Sequence, residues 1–238
     1  MAGAEQSAQA AVRGLQTLVA DLPPDSPQRR LAGTNLPLAD ADIKLAEGLL
    51  QPALAEATAA RARIEPIAVP TTDANTTRWK TNQLQISCNV AAQATLQLGR
   101  YAQAEAAARQ WLAIAPNSVN SQTNPKPLVS RARCTLAEAI AMQGRNDEAQ
   151  KVLQPAMAWY VQQQKAGATG TTFRYDYAYA LYVSAISQPD DANGRKQRDT
   201  ALAEAAAQIA GASAEAQKLA DMRRVSDLIA KARSTTHA

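Results

Sequence analysis

A chain of 238 residues and 25.3 kDa has room for one large domain or two small ones. With 46% hydrophobic and 19% charged residues it is a folding sequence, and composition excludes an extended disordered chain. The net charge of +4 and pI near 9.2 arise from arginines scattered among carboxylates, with local pairs such as Arg29-Arg30, Arg61/Arg63 and Arg223-Arg224. A nucleic-acid binder concentrates such charge on one face or arm, so nucleic acid is not an expected partner. Ala exceeds a fifth of the chain, aromatics are 4%, and there is one Phe. Such a core is thin, its elements have to pack closely, and Ala is the best helix former. Val, Ile and Thr never cluster in alternating runs, which excludes an all-β or parallel-sheet protein. No apolar stretch reaches the ~18 residues of a membrane span, so no membrane insertion is expected. The expected class is all-α.

In chain order, Val12, Leu15, Leu18, Val19 and Leu22 share one face of a helix over Ala4–Leu22, which ends at Pro23-Pro24. Four prolines between Pro23 and Pro37 predict a long loop. A second helix is predicted over Leu38–Ile64, ended by Pro66 and Pro70. Asp73 caps a third over Ala74–Leu98. Gly99 separates it from a fourth, Tyr101–Ala115, stopped by Pro116. After an Asn-, Ser- and Pro-rich loop, helices are predicted over Leu128–Gln143 and Asn146–Lys165 around Gly144. Another pair, Phe173–Ser187 and Arg195–Ile209, flanks the turn Pro189–Gly194. A final amphipathic helix, Ala212–Arg233, carries Leu219, Met222, Val225, Leu228 and Ile229 on one side. Lys218, Asp221, Arg223, Arg224 and Asp227 lie on the other. About eight helices thus group as antiparallel hairpins. The divisions expected are 1–37 (a helix and Pro-rich loop packing on the array), 38–211 (the hairpins) and 212–238 (a capping helix and tail).

The chemistry for catalysis is sparse. Cys88 and Cys134 stand in no CxxC and near no His, and read as small buried hydrophobes. The sole His, His237, lies beside the C-terminal residue and cannot complete a triad or a metal site. No HExxH, GxSxG, Walker loop or GxGxxG occurs. Asp190-Asp191 lacks EF-hand spacing and reads as a solvated turn. No catalytic residue, metal or cofactor is therefore expected. The N-terminus lacks a basic region followed by an apolar run, so no secretory signal is read there. The chain is expected to be soluble, in cytoplasm or periplasm according to its parent polypeptide.

Internal repetition organises the middle of the chain. Ala46–Ala55 aligns without a gap on Ala149–Ala158 through a shared Leu-Gln-Pro-Ala. In Gln85–Pro116, Ala92 and Ala104 are small residues at a helix crossing, Gly99 and Tyr101 form a glycine-aromatic turn, and Pro116 closes the unit. This segment resembles one tetratricopeptide (TPR) repeat. Leu136-Ala137, Gly144, Ala149, Leu153 and Ala156 resemble a second, looser copy. Cys88 and Arg133 stand where the family's first-helix tryptophan is usual. The turn glycines are 45 residues apart, against about 34 in a standard repeat. The fold implied is a TPR-like α-solenoid over about Leu38–Ile209, with lengthened helices and linkers. Its Ala/Arg-rich character is similar to the C-terminal repeat modules of bacterial signalling proteins.

The resemblance implies a concave groove lined by the first helix of each hairpin, holding an extended peptide or a partner helix. It places Asn89, Gln93, Arg131 and Glu138 on that face, Asn to pair with a peptide backbone and Arg131 with a carboxylate. Five of the ten aromatics fall in Phe173–Tyr182. Tyr175, Tyr179 and Tyr182 share a face and read as core. Tyr177 points elsewhere and, beside Arg174 and Asp176, is the groove candidate. The function expected is non-catalytic binding of a protein or peptide. The alternatives are a self-associating structural domain, through the final helix, or a sensor for a small ligand.

Overall fold

The computed structural model describes residues 20–118 and 124–236, with side chains as far as 234. The predicted helix over Ala4–Leu22 falls almost wholly outside them. The described residues form helices joined by turns and loops, without a strand: α1 Pro27–Ala32, α2 Asn35–Ala46, α3 Leu50–Ile64, α4 Ala74–Gln97, α5 Tyr101–Ile114, α6 Lys126–Ala141, α7 Asn146–Lys165, α8 Thr171–Ile186, α9 Ala192–Ala210, α10 Ala214–Gln217 and α11 Ala220–Thr236. None is long and apolar enough to cross a membrane.

The helices pack in adjacent pairs, α2 with α3, α4 with α5, α6 with α7 and α8 with α9. The first helices of successive pairs also touch, α2 to α4, α4 to α6 and α6 to α8, and α11 lies against α8 and α9. Alanine makes this closeness possible. Ala92, Ala104, Ala108, Ala137 and Ala149 are fully buried, and side chains of that size let helix axes approach to the ~8 Å end of the usual range. The largest core joins α6 to α9 and α11 through Leu136, Ile140, Leu153, Tyr160, Val183 and Val225. Smaller clusters, such as Leu31, Leu38, Ile64 and Ile67, fill the N-terminal pairs.

Three of the four pairs turn on the same device. Gly48, Gly99 and Gly144 have φ of +78°, +72° and +78°. The residue after each glycine donates its N–H to the carbonyl five residues back, Leu49 to Lys44 at 2.8 Å, Arg100 to Thr95 at 2.9 Å and Arg145 to Ile140 at 3.3 Å. Such a left-handed cap satisfies carbonyls the helix end would leave open, and glycine alone adopts it without strain. Gly99→Val is expected to cost about 1–3 kcal/mol, read as a fall in Tm on thermal denaturation. An unchanged Tm would refute the turn's role. The fourth turn uses a side chain instead: Asp191 accepts the Gly194 N–H at 2.7 Å and caps α9. That is the task found for one of the two adjacent aspartates of the predicted turn.

The structure moves several predicted boundaries. The helix expected over Leu38–Ile64 is two, α2 and α3, broken at Gly48. Most of the expected loop Pro23–Pro37 is helical, because Pro27 and Pro37 sit in first turns, where a proline's missing N–H costs nothing. The final helix is preceded by a separate turn, α10. The aligned strings Ala46–Ala55 and Ala149–Ala158 stand at different positions along their helices. Gly48 forms a turn, whereas its counterpart Lys151 lies inside α7. Pro52 is in the first turn of α3, and Pro155 is internal to α7 on its exposed side. Other expectations match the structure closely. Asp73 caps α4, accepting the Thr76 N–H at 3.0 Å. Cys88 and Cys134 are buried free thiols.

Candidate functional site

The touching faces of α4, α6 and α8 converge on a cavity of about 200 Å³. From α4 come Asn89, Gln93 and Gln97, one helical turn apart. From α6 come Arg131 and Thr135, and from α8 Tyr175, Asp176 and Tyr179. The α5 residue Trp111 is 1% exposed, packs with Cys88, Ala115 and Ala132, and reaches the same cavity. The mouth lies between Asp42, Leu45 and Gly48 on one side and Ala220, Asp221 and Arg224 of α11 on the other.

Asp176 is almost entirely buried, and Arg131 Nε donates to its Oδ1 at 2.6 Å. Burial raises the Asp176 carboxyl to about 6, against the pull of Arg131, which favours the ionised form. Arg131 thus already engages a carboxylate of its own protein through Nε, while its side chain stays 34% exposed. Tyr175 and Tyr179 stack 6.5 Å apart at 8°, and the Arg224 guanidinium lies 5.2 Å from the Tyr179 ring centre. A cation over an aromatic face gains about 0.5–2 kcal/mol. Asp42 stands at the mouth with its carboxyl raised, by partial burial first and by Asp221 second.

Four polar atoms of this lining lack a hydrogen-bond partner among the described residues: Asn89 Oδ1, Trp111 Nε1, Thr135 Oγ1 and Arg224 Nη2. Leaving such a group unmade costs about 1–3 kcal/mol. Helical serines and threonines usually escape that cost by bonding the carbonyl one turn back. Thr58, Thr81, Thr95 and Thr200 do so here, at 2.7, 2.8, 2.6 and 2.9 Å. Thr135, fully buried, does not.

Beyond Arg224 lies a second, more apolar hollow of about 530 Å³, bordered by Leu96, Tyr101, Met142, Tyr182 and Leu228. Glu138, expected on the groove face, is 4% exposed at its edge and accepts a hydrogen bond from the Tyr179 hydroxyl. Burial pushes its carboxyl up, while Arg224 and Tyr179 pull it down. Glu138 thus braces α6 against α8.

Asn89, Gln93 and Arg131 of the predicted groove residues come together here, while Arg174 and Tyr177 lie elsewhere. Tyr177 is 2% exposed, stacks on Tyr160 at 5.9 Å and donates to Glu204 Oε1 at 2.8 Å. Arg174 donates to the Thr169 carbonyl at 3.1 Å and reaches Gln208 of α9. The stripe Tyr175/Tyr179/Tyr182 is indeed largely buried, yet it also walls the two hollows.

Sequence reasoning also missed Trp111, Thr135, Arg224 and the carboxylates Asp42 and Asp221. Thr135 and Gln97 were within reach, because each lies one turn beyond a chosen residue. Among the described residues no group of three His, Cys, Asp or Glu is placed to hold a metal ion. Comparison with family models, with characterised proteins and with solved structures finds no significant match.

Proposed function

We propose that the chain is a non-catalytic, TPR-like helical-repeat module that holds a protein or peptide on the inner face of α4, α6 and α8. One observation carries this reading: three successive first helices turn polar and aromatic side chains, not a closed apolar core, onto one shared cavity. The cavity accommodates one residue of a partner. The apolar hollow beside it, along α11, takes the residues that follow. Amides such as Asn89 and Gln93 pair with either backbone group, since each offers a donor and an acceptor.

The test is selection from a random peptide library on the wild-type protein, with Asn89→Ala/Gln93→Ala as the comparison. Arg131 is left unaltered because its removal would unbalance Asp176. Enriched peptides are expected to bind the double variant at least about tenfold more weakly, the loss of one or two hydrogen bonds. Binding is expected to be unchanged by Gln154→Ala, on the exposed side of α7. Peptides that bind all three proteins equally would refute the inner-face reading.

A further inference from the structure

The cavity carries a second and sharper message, in the chemistry its lining leaves unanswered. Two lining residues more than nine-tenths buried, which form its floor, hold polar atoms without partners among the described residues: the indole N–H of Trp111 and the hydroxyl of Thr135. Neither is an accident of local geometry. The threonine forgoes the backbone carbonyl that Thr58, Thr81, Thr95 and Thr200 all use. The indole sits in an otherwise apolar packing of Cys88, Ala115 and Ala132. The indole can only donate and the hydroxyl can donate as well as accept, so one acceptor group satisfies both. Arg131 stands nearby with its charge balanced by Asp176.

At the mouth the balance reverses. Asp42 from α2 and Asp221 from α11 face each other across the opening, and neither forms an ion pair among the described residues. Taken together, the charged lining is three carboxylates, Asp42, Asp176 and Asp221, against two guanidinium groups, Arg131 and Arg224. Two like charges held at one opening favour a cation between them. Between floor and mouth, the Asn89 carbonyl oxygen offers one more acceptor, and Arg224, whose side chain also bonds Tyr175, offers one more donor at Nη2.

The volume sets the size of what fits. About 200 Å³ is the share of about seven waters. It lies below the ~300–1,000 Å³ of pockets for drug-sized ligands. We propose that this cavity binds a small zwitterion of amino-acid size whose charges stand at opposite ends of a short chain, with its carboxylate on Trp111 Nε1 and Thr135 Oγ1 and its ammonium between Asp42 and Asp221. Such a ligand occupies the place given above to one partner residue and so competes with a peptide there, and its test is separate from the library selection.

The experiment is thermal denaturation of the wild-type protein with each of the twenty amino acids and γ-aminobutyrate at 10 mM. n-Butylamine and butyrate serve as single-ended probes. Calorimetric titration follows for any compound that raises Tm. A preferred zwitterion is expected to raise Tm by about 3 °C or more at about tenfold excess over its Kd, with neither single-ended probe doing so. Trp111→Phe and Thr135→Val should each weaken it about tenfold by removing one charge-assisted contact, and Asp42→Asn/Asp221→Asn, which removes both charges around the ammonium, by at least as much. The rim pair is exposed and its removal leaves the fold intact, so it remains informative if Trp111→Phe folds poorly.

No shift with any zwitterion would overturn the proposal. So would an equal shift with butylamine or butyrate, or affinity indifferent to Asp42 and Asp221. An amino acid that binds but whose amide binds equally well would show that no carboxylate is read at the floor, and would overturn it too.

Discussion

Replacing Arg131 with Met is expected to lower stability by about 3 kcal/mol at pH 8 and by much less at pH 4.5. Asp176 is 3% exposed, and Arg131 is its one ion-pair partner among the described residues. Breaking such a pair from one side costs about 3–5 kcal/mol, because the remaining charge stays buried. Met keeps most of the arginine stem's packing, which isolates the charge as the cause.

The pH dependence has a definite sign. The Asp176 carboxyl is raised from 3.8 to about 6 in the folded protein, by burial first, with Arg131 opposing. The folded state therefore holds the proton more tightly than the unfolded chain. Stability from this group is full below about pH 4 and is lost as pH rises through about 6. Without Arg131 the folded value climbs further, so the loss grows at pH 8, while at pH 4.5 the neutral acid needs no partner. Urea denaturation at both pH values reads the difference, and a fall in Tm of roughly 6–12 °C should accompany it at pH 8. Adding Asp176→Asn to the variant should restore much of the loss. An equal loss at both pH values would show that Arg131 matters for packing alone.

The second large effect is expected at Arg224. Its guanidinium lies over Tyr179 and its charge is felt by Glu138, a carboxylate 4% exposed between α6 and α8. Arg224→Met removes that favourable charge and the cation over Tyr179, while the Tyr179 hydrogen bond to Glu138 remains, with an expected cost of about 1–2 kcal/mol. The cost should be paid locally. Met222, Val225 and Ile229 still anchor α11 by its buried side, and opening that one helix releases the strain without unfolding the pairs beneath. Hydrogen exchange should therefore quicken about tenfold or more over residues 220–234, with α4 to α7 unchanged. Uniform loss of protection across the chain would mean that Arg224 supports the whole fold and not the docking of α11.

Most of the helical framework was legible because its punctuation is strong. Asp73, Gly99, Gly144 and Pro116 each end or begin a helix for a reason visible in one or two residues. Gly48 was hidden, because the Leu and Ala periodicity of Leu38–Ile64 runs through it unbroken. A helix tolerates an internal glycine at a cost of only about 1 kcal/mol. Pro27 and Pro37 misled in the other direction, since proline breaks a helix in its middle and suits its first turn.

The site was legible only in part, and for a different reason. Helix α8 is covered on several sides, by α6, α7, α9 and α11. The run Asp176–Val183 is buried without interruption, so no periodicity distinguishes a wall of the cavity from the core. That is why Tyr177 was chosen over Tyr175 and Tyr179. Trp111 belongs to a second helix of a pair, and only the thinness of the alanine layer brings its indole to the inner face. Arg224 reads as solvent-facing in an amphipathic pattern, but its long stem carries the charge inward.

The placement of α11 ties two properties into a single equilibrium. The same helix covers the last pair and forms one wall of the cavity mouth. Whatever occupies the cavity while touching Asp221 and Arg224 binds only when α11 is docked. Each tenfold of ligand above its Kd then adds about 1.4 kcal/mol against the helix's release. Fraying from that end becomes a gauge of occupancy, readable as resistance of the C-terminal segment to a protease, without a label on the ligand or any knowledge of its identity.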